Sequence, residues 1–69
     1  MSERKTIGKK IIAKREELNL SQENLAALVG LSATALSHIE NGKVYVNTKN
    51  LYKICKVLEI KLVEIFEGY

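Results

Sequence analysis

Apolar residues recur at steps of three and four along most of the chain, which is the spacing of one face of an α-helix. The first predicted helix begins at an N-cap on Thr6 and ends near Leu18, where Asn19 can adopt a left-handed conformation. Its apolar positions are Ile7, Ile11, Ile12 and Leu18. No stretch alternates as a β-strand does, so the pattern favours an all-α fold.

Two short helices follow with a single residue between their boundary signals. Ser21 caps the second helix and Gly30 ends it, and Ser32 then caps the third helix, which closes at Asn41-Gly42. The expected apolar positions are Leu25, Leu28 and Val29 in the second helix and Ala35, Leu36 and Ile39 in the third. So tight a turn sets two helices at a steep angle, and it therefore predicts a helix-turn-helix at about residues 21–41.

The rest of the chain predicts a loop and two further helices. Residues 43–47 are polar, β-branched and aromatic, which is typical of a loop, and Asn47 or Thr48 caps the fourth helix after it. The apolar positions are Leu51, Ile54, Cys55 and Leu58 in the fourth helix and Leu62, Ile65 and Phe66 in a short fifth helix ending at Gly68. Five helices in 69 residues predict one compact domain with very short connections.

The charge distribution suggests a class of partner. Eleven Lys and Arg residues against eight Glu and no Asp give a net charge of +3. The basic residues concentrate in residues 1–15 and 43–56, on either side of a weakly charged centre. Two such segments fit a protein that binds a polyanion, and they fit a solvated surface equally well.

Length and residue types argue against several function classes. A chain of 69 residues has little room for a separate substrate domain, and we find no paired carboxylates, metal-ligand cluster or activated nucleophile. We therefore expect no enzyme, no cofactor and no metal. One cysteine cannot form an internal disulfide, and no apolar run approaches the ~20 residues that span a bilayer, so we expect a cytoplasmic protein without a membrane partner.

Three segments in the middle of the chain carry a resemblance to a known family. They are Leu20-Ser21-Gln22-Glu23-Asn24-Leu25-Ala26, Val29-Gly30-Leu31-Ser32 and Leu36-Ser37-His38-Ile39-Glu40-Asn41-Gly42-Lys43. At this separation they strongly resemble the Cro and phage-repressor helix-turn-helix proteins, the XRE family. The resemblance covers residues 6–67 and implies a compact lambda-repressor-like domain with five helices, preceded by a flexible basic arm at residues 1–5.

The same resemblance implies roles for individual residues. It places the third helix in the major groove of double-stranded DNA, with base edges read by Ala33, Thr34, Ser37 and His38. It implies phosphate contacts through Gln22, Asn41 and Lys43, and a buried ion pair between Arg15 and Glu40. Separately from the resemblance, Lys9 of the first helix either reaches a flanking phosphate or only contributes solubilising charge. The base-reading set contains no Arg, Gln or Asn, so we expect modest direct readout and more specificity from DNA shape or dimer spacing.

We therefore expect a transcriptional regulator that binds a palindromic operator as a homodimer. Phage repressors, controller proteins of restriction–modification systems and antitoxin-type regulators all resemble such a chain. The expected dimer surface is Leu62, Val63, Ile65, Phe66 and Tyr69, although Phe66 fits the core nearly as well. RNA polymerase or a cognate protein would be a further partner, and the protein would be associated with the nucleoid when it is bound to DNA.

The alternative from another class is a protein-interaction module that keeps the fold without reading DNA sequence. The short side chains of Ala33 and Ala35 favour this alternative because they offer only methyl groups to a base. Gln22, Asn41 and Lys43 disfavour it, since an interaction module has no need of phosphate contacts.

Overall fold

The helices of the computed structural model, which describes residues 3–66, follow one another with short connections and no strand among those residues. They are α1 (Glu3–Glu17), α2 (Gln22–Val29), α3 (Ala33–Glu40), α4 (Thr48–Leu58) and α5 (Leu62–Ile65). The predicted all-α architecture with five helices is thereby confirmed. None of the helices in this part of the chain is long and apolar enough to cross a membrane.

The first helix begins earlier than the sequence pattern predicted. Its first residue is Glu3, so the N-cap predicted at Thr6 is wrong and residues 3–5 of the predicted arm are helical. Glu3 places a negative charge in the first turn, where the helix dipole favours it. The Arg4 guanidinium lies 5.0 Å from the ring centre of Tyr45, a cation–π contact that ties this turn to the loop before α4. Residues 1–2 of the predicted arm, and Gly68 at the predicted end of the fifth helix, lie outside the described residues.

The helix boundaries predicted from capping residues are largely confirmed. Each N-cap oxygen accepts the backbone N–H three residues on, in the pairs Ser21–Asn24, Ser32–Ala35 and Asn47–Asn50. Gly30 ends α2 with φ 74°, and the backbone N–H of Leu31 donates to the carbonyl oxygen of Ala26 over 2.9 Å. This left-handed glycine cap turns the chain sharply into α3, so the two helices form the predicted helix-turn-helix.

The core draws apolar side chains from all five helices. Its buried members are Ile7, Ile11, Leu25, Ala26, Val29, Leu36, Ile39, Leu51, Ile54, Cys55, Leu58 and Ile65. Burial raises the pKa of the Cys55 thiol, because the thiolate is poorly solvated there. Cys55 is therefore a small core residue, as its place on the apolar stripe of α4 predicted.

Several apolar residues do not lie where they were predicted, among them Leu18, which follows α1 and is 37% exposed. Leu28 is 61% exposed, because at 3.6 residues per turn Leu25, Ala26 and Val29 share the inner face of α2 and Leu28 lies to one side. Ile65 is fully buried, so its predicted place in the dimer surface is wrong. It is the one buried residue of α5, a helix of a single turn.

Gly8 marks the closest approach between α1 and α3. A Cβ atom on Gly8 would lie 2.8 Å from the carbonyl oxygen of Ile39 and closer still to that of Glu40. Only glycine fits this crossing without moving one of the two backbones. The contact fixes the C-terminal end of α3 against α1, and it thereby helps to set the direction in which α3 projects.

Candidate nucleic-acid interface

The third helix turns its apolar side to the core and its polar side to solvent. Leu36 and Ile39 are buried in the core. The four residues predicted to read bases lie on the other side, with Thr34 and His38 exposed and Ala33 and Ser37 half-buried. Ala33, Thr34 and Ser37 have short side chains, and His38 carries the long polar side chain of this outer face.

A buried ion pair holds the end of α3 to α1. The Arg15 guanidinium donates from Nε to Glu40 Oε2 over 2.7 Å and from Nη2 to Oε1 over 3.2 Å. Its third nitrogen, Nη1, donates to the carbonyl oxygen of Leu20 over 2.9 Å. Glu40 is only 3% exposed, so the two-point contact with Arg15 compensates for the desolvation of its charge. The ion pair predicted between these residues is therefore present in the structure.

Gln22 joins this ion pair and connects it to α2. Its Nε2 donates to Glu40 Oε1 over 2.8 Å, and Gln22 is the first residue of α2. The Glu40 carboxylate thus links α1, α2 and α3. Sequence reasoning missed the contact between Gln22 and Glu40, because no periodic pattern connects residues 18 apart. The amide nitrogen carries a second hydrogen besides the one that it donates to Glu40.

The residues that follow α3 direct their backbone donors inward. The backbone N–H of Asn41 donates to the Ser37 carbonyl oxygen and that of Lys43 to the His38 carbonyl oxygen, each over 2.9 Å. The Asn41 side-chain nitrogen also donates to the Ser37 carbonyl oxygen over 2.9 Å. In this structure Asn41 therefore caps α3, and its predicted phosphate contact stays a prediction. Lys43, which follows the end of α3, is exposed.

Lysines of α1 lie next to the end of α3. Lys5 and Lys9 are exposed and line a shallow depression together with Ile12 and Asn41. The Lys5 backbone also packs closely against Gly42. The structure therefore brings the predicted phosphate residue Lys9 to the same region as Asn41. Lysines at this edge produce the positive potential that attracts a phosphate backbone.

A second surface is apolar and lies around α5. Leu62, Val63 and Phe66 are 43%, 68% and 42% exposed, whereas Tyr69 of the predicted dimer surface lies outside the described residues. Phe66 also lines a cavity of about 120 Å³ together with Tyr45. An exposed apolar set of this kind is typical of a surface that binds another protein.

Comparison with known proteins connects this geometry to a function. Residues 11–65 match the helix-turn-helix family. Control protein C.MunI of Mycoplasma sp is 47% identical over 53 residues, which cover 77% of this chain and 72% of that protein. The ImmF control region 10 kDa protein of Bacillus phage phi105 is 39% identical over 62 residues, covering 90% of this chain and 69% of that protein.

Solved structures share the same fold. The restriction-modification controller protein C.AhdI from Aeromonas hydrophila superposes with a TM-score of 0.84 at 32% identity, covering 90% of this chain and 94% of that one. The clp gene regulator ClgR from Corynebacterium glutamicum gives a TM-score of 0.90 at 22% identity, covering 94% and 69% of the two chains. At that identity the likeness to ClgR concerns the fold alone.

Proposed function

Because the chain belongs to the XRE-type (Cro/C1) helix-turn-helix family of DNA-binding regulators, we propose that it acts as a homodimer on a palindromic operator, with α3 in the major groove. It is a transcriptional regulator of the control-protein type and not an enzyme. The likeness to C.MunI and C.AhdI favours a controller of restriction–modification genes, and the likeness to the phage phi105 protein favours phage control.

The observation that carries this proposal is the outer face of α3. Ser37 and His38 lie three and four residues after Thr34, and all three side chains are turned away from the core. The contacts of Arg15 and Gln22 with Glu40 hold the helix rigidly behind that face. A rigid helix with polar side chains on its free side is what direct readout of base edges requires.

The proposal of a homodimer follows from the size of the contact. One module of this size buries a small area on DNA and binds weakly. A dimer places two modules on one duplex, which doubles the contact area and raises the affinity for DNA. A twofold axis would place two copies of α3 ~34 Å apart, on half-sites separated by one helical turn. The exposed apolar residues of α5 are the surface we assign to the twofold contact.

The phosphate contacts can be tested by the double substitution Gln22→Ala and Lys43→Ala. We expect it to weaken binding to every duplex by roughly 30-fold or more, because two hydrogen-bonding groups are lost from each protomer. The slope of log affinity against log salt should fall, since fewer counterions are released. Fluorescence anisotropy with labelled duplexes at several salt concentrations measures both quantities.

The control for this test is Lys56→Ala, which removes the same charge from an exposed position in the last turn of α4. It should change the affinity by much less than the double substitution. Equal losses in both proteins would mean that net charge alone drives binding. If the wild type bound a protein partner and no duplex, even at low salt, the alternative of an interaction module would replace the proposal.

The dimer surface can be tested by Val63→Asp. Val63 is 68% exposed, so the fold should survive, while a carboxylate inside an apolar interface should shift the protein to monomers. Leu28→Asp is the matched control, because Leu28 is 61% exposed but lies on α2. Sedimentation equilibrium should give monomers for the first variant and dimers for the second. Dimers of Val63→Asp would contradict the assignment of this surface.

A further inference from the structure

The hydrogen bonds between Asn41 and Ser37 determine which way the Asn41 amide faces. The side-chain nitrogen lies 2.9 Å from the backbone carbonyl oxygen of Ser37. A carbonyl oxygen only accepts hydrogen bonds, so the amide must present its NH₂ group there and not its oxygen. The carbonyl oxygen of Ser37 therefore determines which end of the Asn41 amide is the nitrogen and which is the oxygen.

The same nitrogen also reaches the hydroxyl of Ser37. It lies 3.3 Å from Ser37 Oγ, so the hydroxyl oxygen accepts a hydrogen bond from Asn41. Among the described residues, the Ser37 hydroxyl donates to no other group. Its hydrogen is therefore available on the outer face of α3, beside Thr34 and His38. A hydroxyl that already accepts one hydrogen bond becomes a stronger donor, because the two bonds polarise each other.

We propose that Ser37 is a specificity-determining residue that donates to a base edge, and that Asn41 is the positioning residue that gives it this polarity. In the major groove guanine, adenine and thymine each present an acceptor, whereas cytosine presents only the donor N4. Because Asn41 already occupies one lone pair of its oxygen, Ser37 is a poorer acceptor than donor, and it therefore favours the other three bases over cytosine at the base it faces. This inference rests on the proposed function, since it requires α3 to lie in the major groove.

The proposal assigns Asn41 a role that differs from a phosphate contact. A serine by itself discriminates little, because its hydroxyl donates or accepts with equal ease. When Asn41 donates to Ser37 Oγ, one of the two lone pairs of that oxygen is occupied, and the Ser37 hydroxyl favours donating a hydrogen bond over accepting another. A residue outside the base-reading set thus changes which base is read without touching the DNA.

The test uses the duplex that the wild-type protein selects from a random pool, with all four base pairs placed in turn at each half-site position. We expect one position per half-site at which the wild type binds cytosine roughly fivefold more weakly than the best base, the size of one neutral hydrogen bond. Ser37→Ala and Asn41→Ala should both lose this discrimination and keep the preferences at other positions. The double variant should behave like Ser37→Ala.

A second variant removes the donor but keeps the shape of the side chain. In Asn41→Asp the carboxylate cannot donate to the carbonyl oxygen or to the hydroxyl of Ser37. We expect it to lose the discrimination against cytosine, as Asn41→Ala does, and its negative charge should also weaken binding to every duplex. Circular dichroism establishes that each variant is folded at the assay temperature, so loss of the α3 cap is not mistaken for loss of readout.

Two results would overturn the inference, and they are distinguishable. If Asn41→Ala weakened binding to all duplexes equally and the discrimination against cytosine survived, Asn41 would be a phosphate contact or only a cap. That result would leave the proposed function intact. If the wild-type protein selected no sequence from the pool, the proposed function would fail, and the inference would fail with it.

Discussion

Glu40→Ala is expected to lower the free energy of unfolding by about 3 to 5 kcal/mol, which is enough to unfold much of a domain this small. The substitution removes the acceptor of three hydrogen bonds, two from Arg15 and one from Gln22. The Arg15 side chain is 13% exposed, so its charge would remain largely buried without the carboxylate that neutralises it. Urea unfolding followed by circular dichroism measures the loss.

The chain offers a matched control for this prediction. Lys14 and Glu17 form an ion pair at 3.4 Å on the exposed side of α1, with 66% of the Glu17 side chain in solvent. Glu17→Ala should change the free energy of unfolding by no more than about 0.5 kcal/mol, because an exposed pair is screened by water. The double variant Arg15→Met with Glu40→Met should lose less than Glu40→Ala, since it leaves no unpaired charge. Equal effects of Glu40→Ala and Glu17→Ala would mean that Glu40 is not buried in the folded protein.

Gly8→Ala is expected to destabilise the domain by about 3 kcal/mol, although alanine is the better helix former. Helix propensity alone would stabilise α1 by about 1 kcal/mol. The added Cβ would overlap the carbonyl groups of Ile39 and Glu40, and backbone atoms cannot move aside as a flexible side chain can. Because the two effects have opposite signs, the sign of the measured change in stability decides between them.

Gly30→Ala provides the comparison for this glycine. Gly30 has φ 74°, and no atom lies within 4 Å of the position of an added Cβ. Alanine at this position would therefore cause strain in its own backbone but no steric clash. That strain costs roughly 1 to 2 kcal/mol, less than we expect at Gly8. If Gly8→Ala proved as stable as the wild type, α1 and α3 could not approach each other as closely as described.

Local sequence signals predicted the helices well because each signal acts within one turn. Ser21, Ser32 and Asn47 cap the helices that follow them by bonding a backbone N–H three residues on. The left-handed conformations of Asn19 and Gly30 are also properties of single residues. Such features are visible in sequence because they depend on the residue itself and its immediate neighbours.

The errors arose where tertiary contacts decide the outcome. The first turn of α1 contains Arg4, which contacts Tyr45, a residue far away in sequence. Periodicity marks Ile65 and Phe66 alike as apolar, but only packing buries the first and leaves the second 42% exposed. The contact of Gly8 with α3 left no signal, since a glycine inside a helix pattern has no unique interpretation.

The candidate site was predicted through family resemblance more than through residue chemistry. Resemblance indicated Arg15 and Glu40 as partners, and the structure places them 2.7 Å apart. It did not indicate that Gln22 joins them, nor that Asn41 turns its amide to Ser37. Those contacts depend on side-chain orientations that a motif does not encode. They show that Gln22 and Asn41, which the resemblance assigned to DNA contacts, also make hydrogen bonds within the protein.

The most direct test of the central claim is selection of bound duplexes from a random DNA pool, followed by titration of the selected duplexes at several salt concentrations. The account predicts a palindrome with half-sites about one helical turn apart and an affinity that falls as salt rises. Binding that depends on salt but selects no common sequence, or no binding even at low salt, would contradict it.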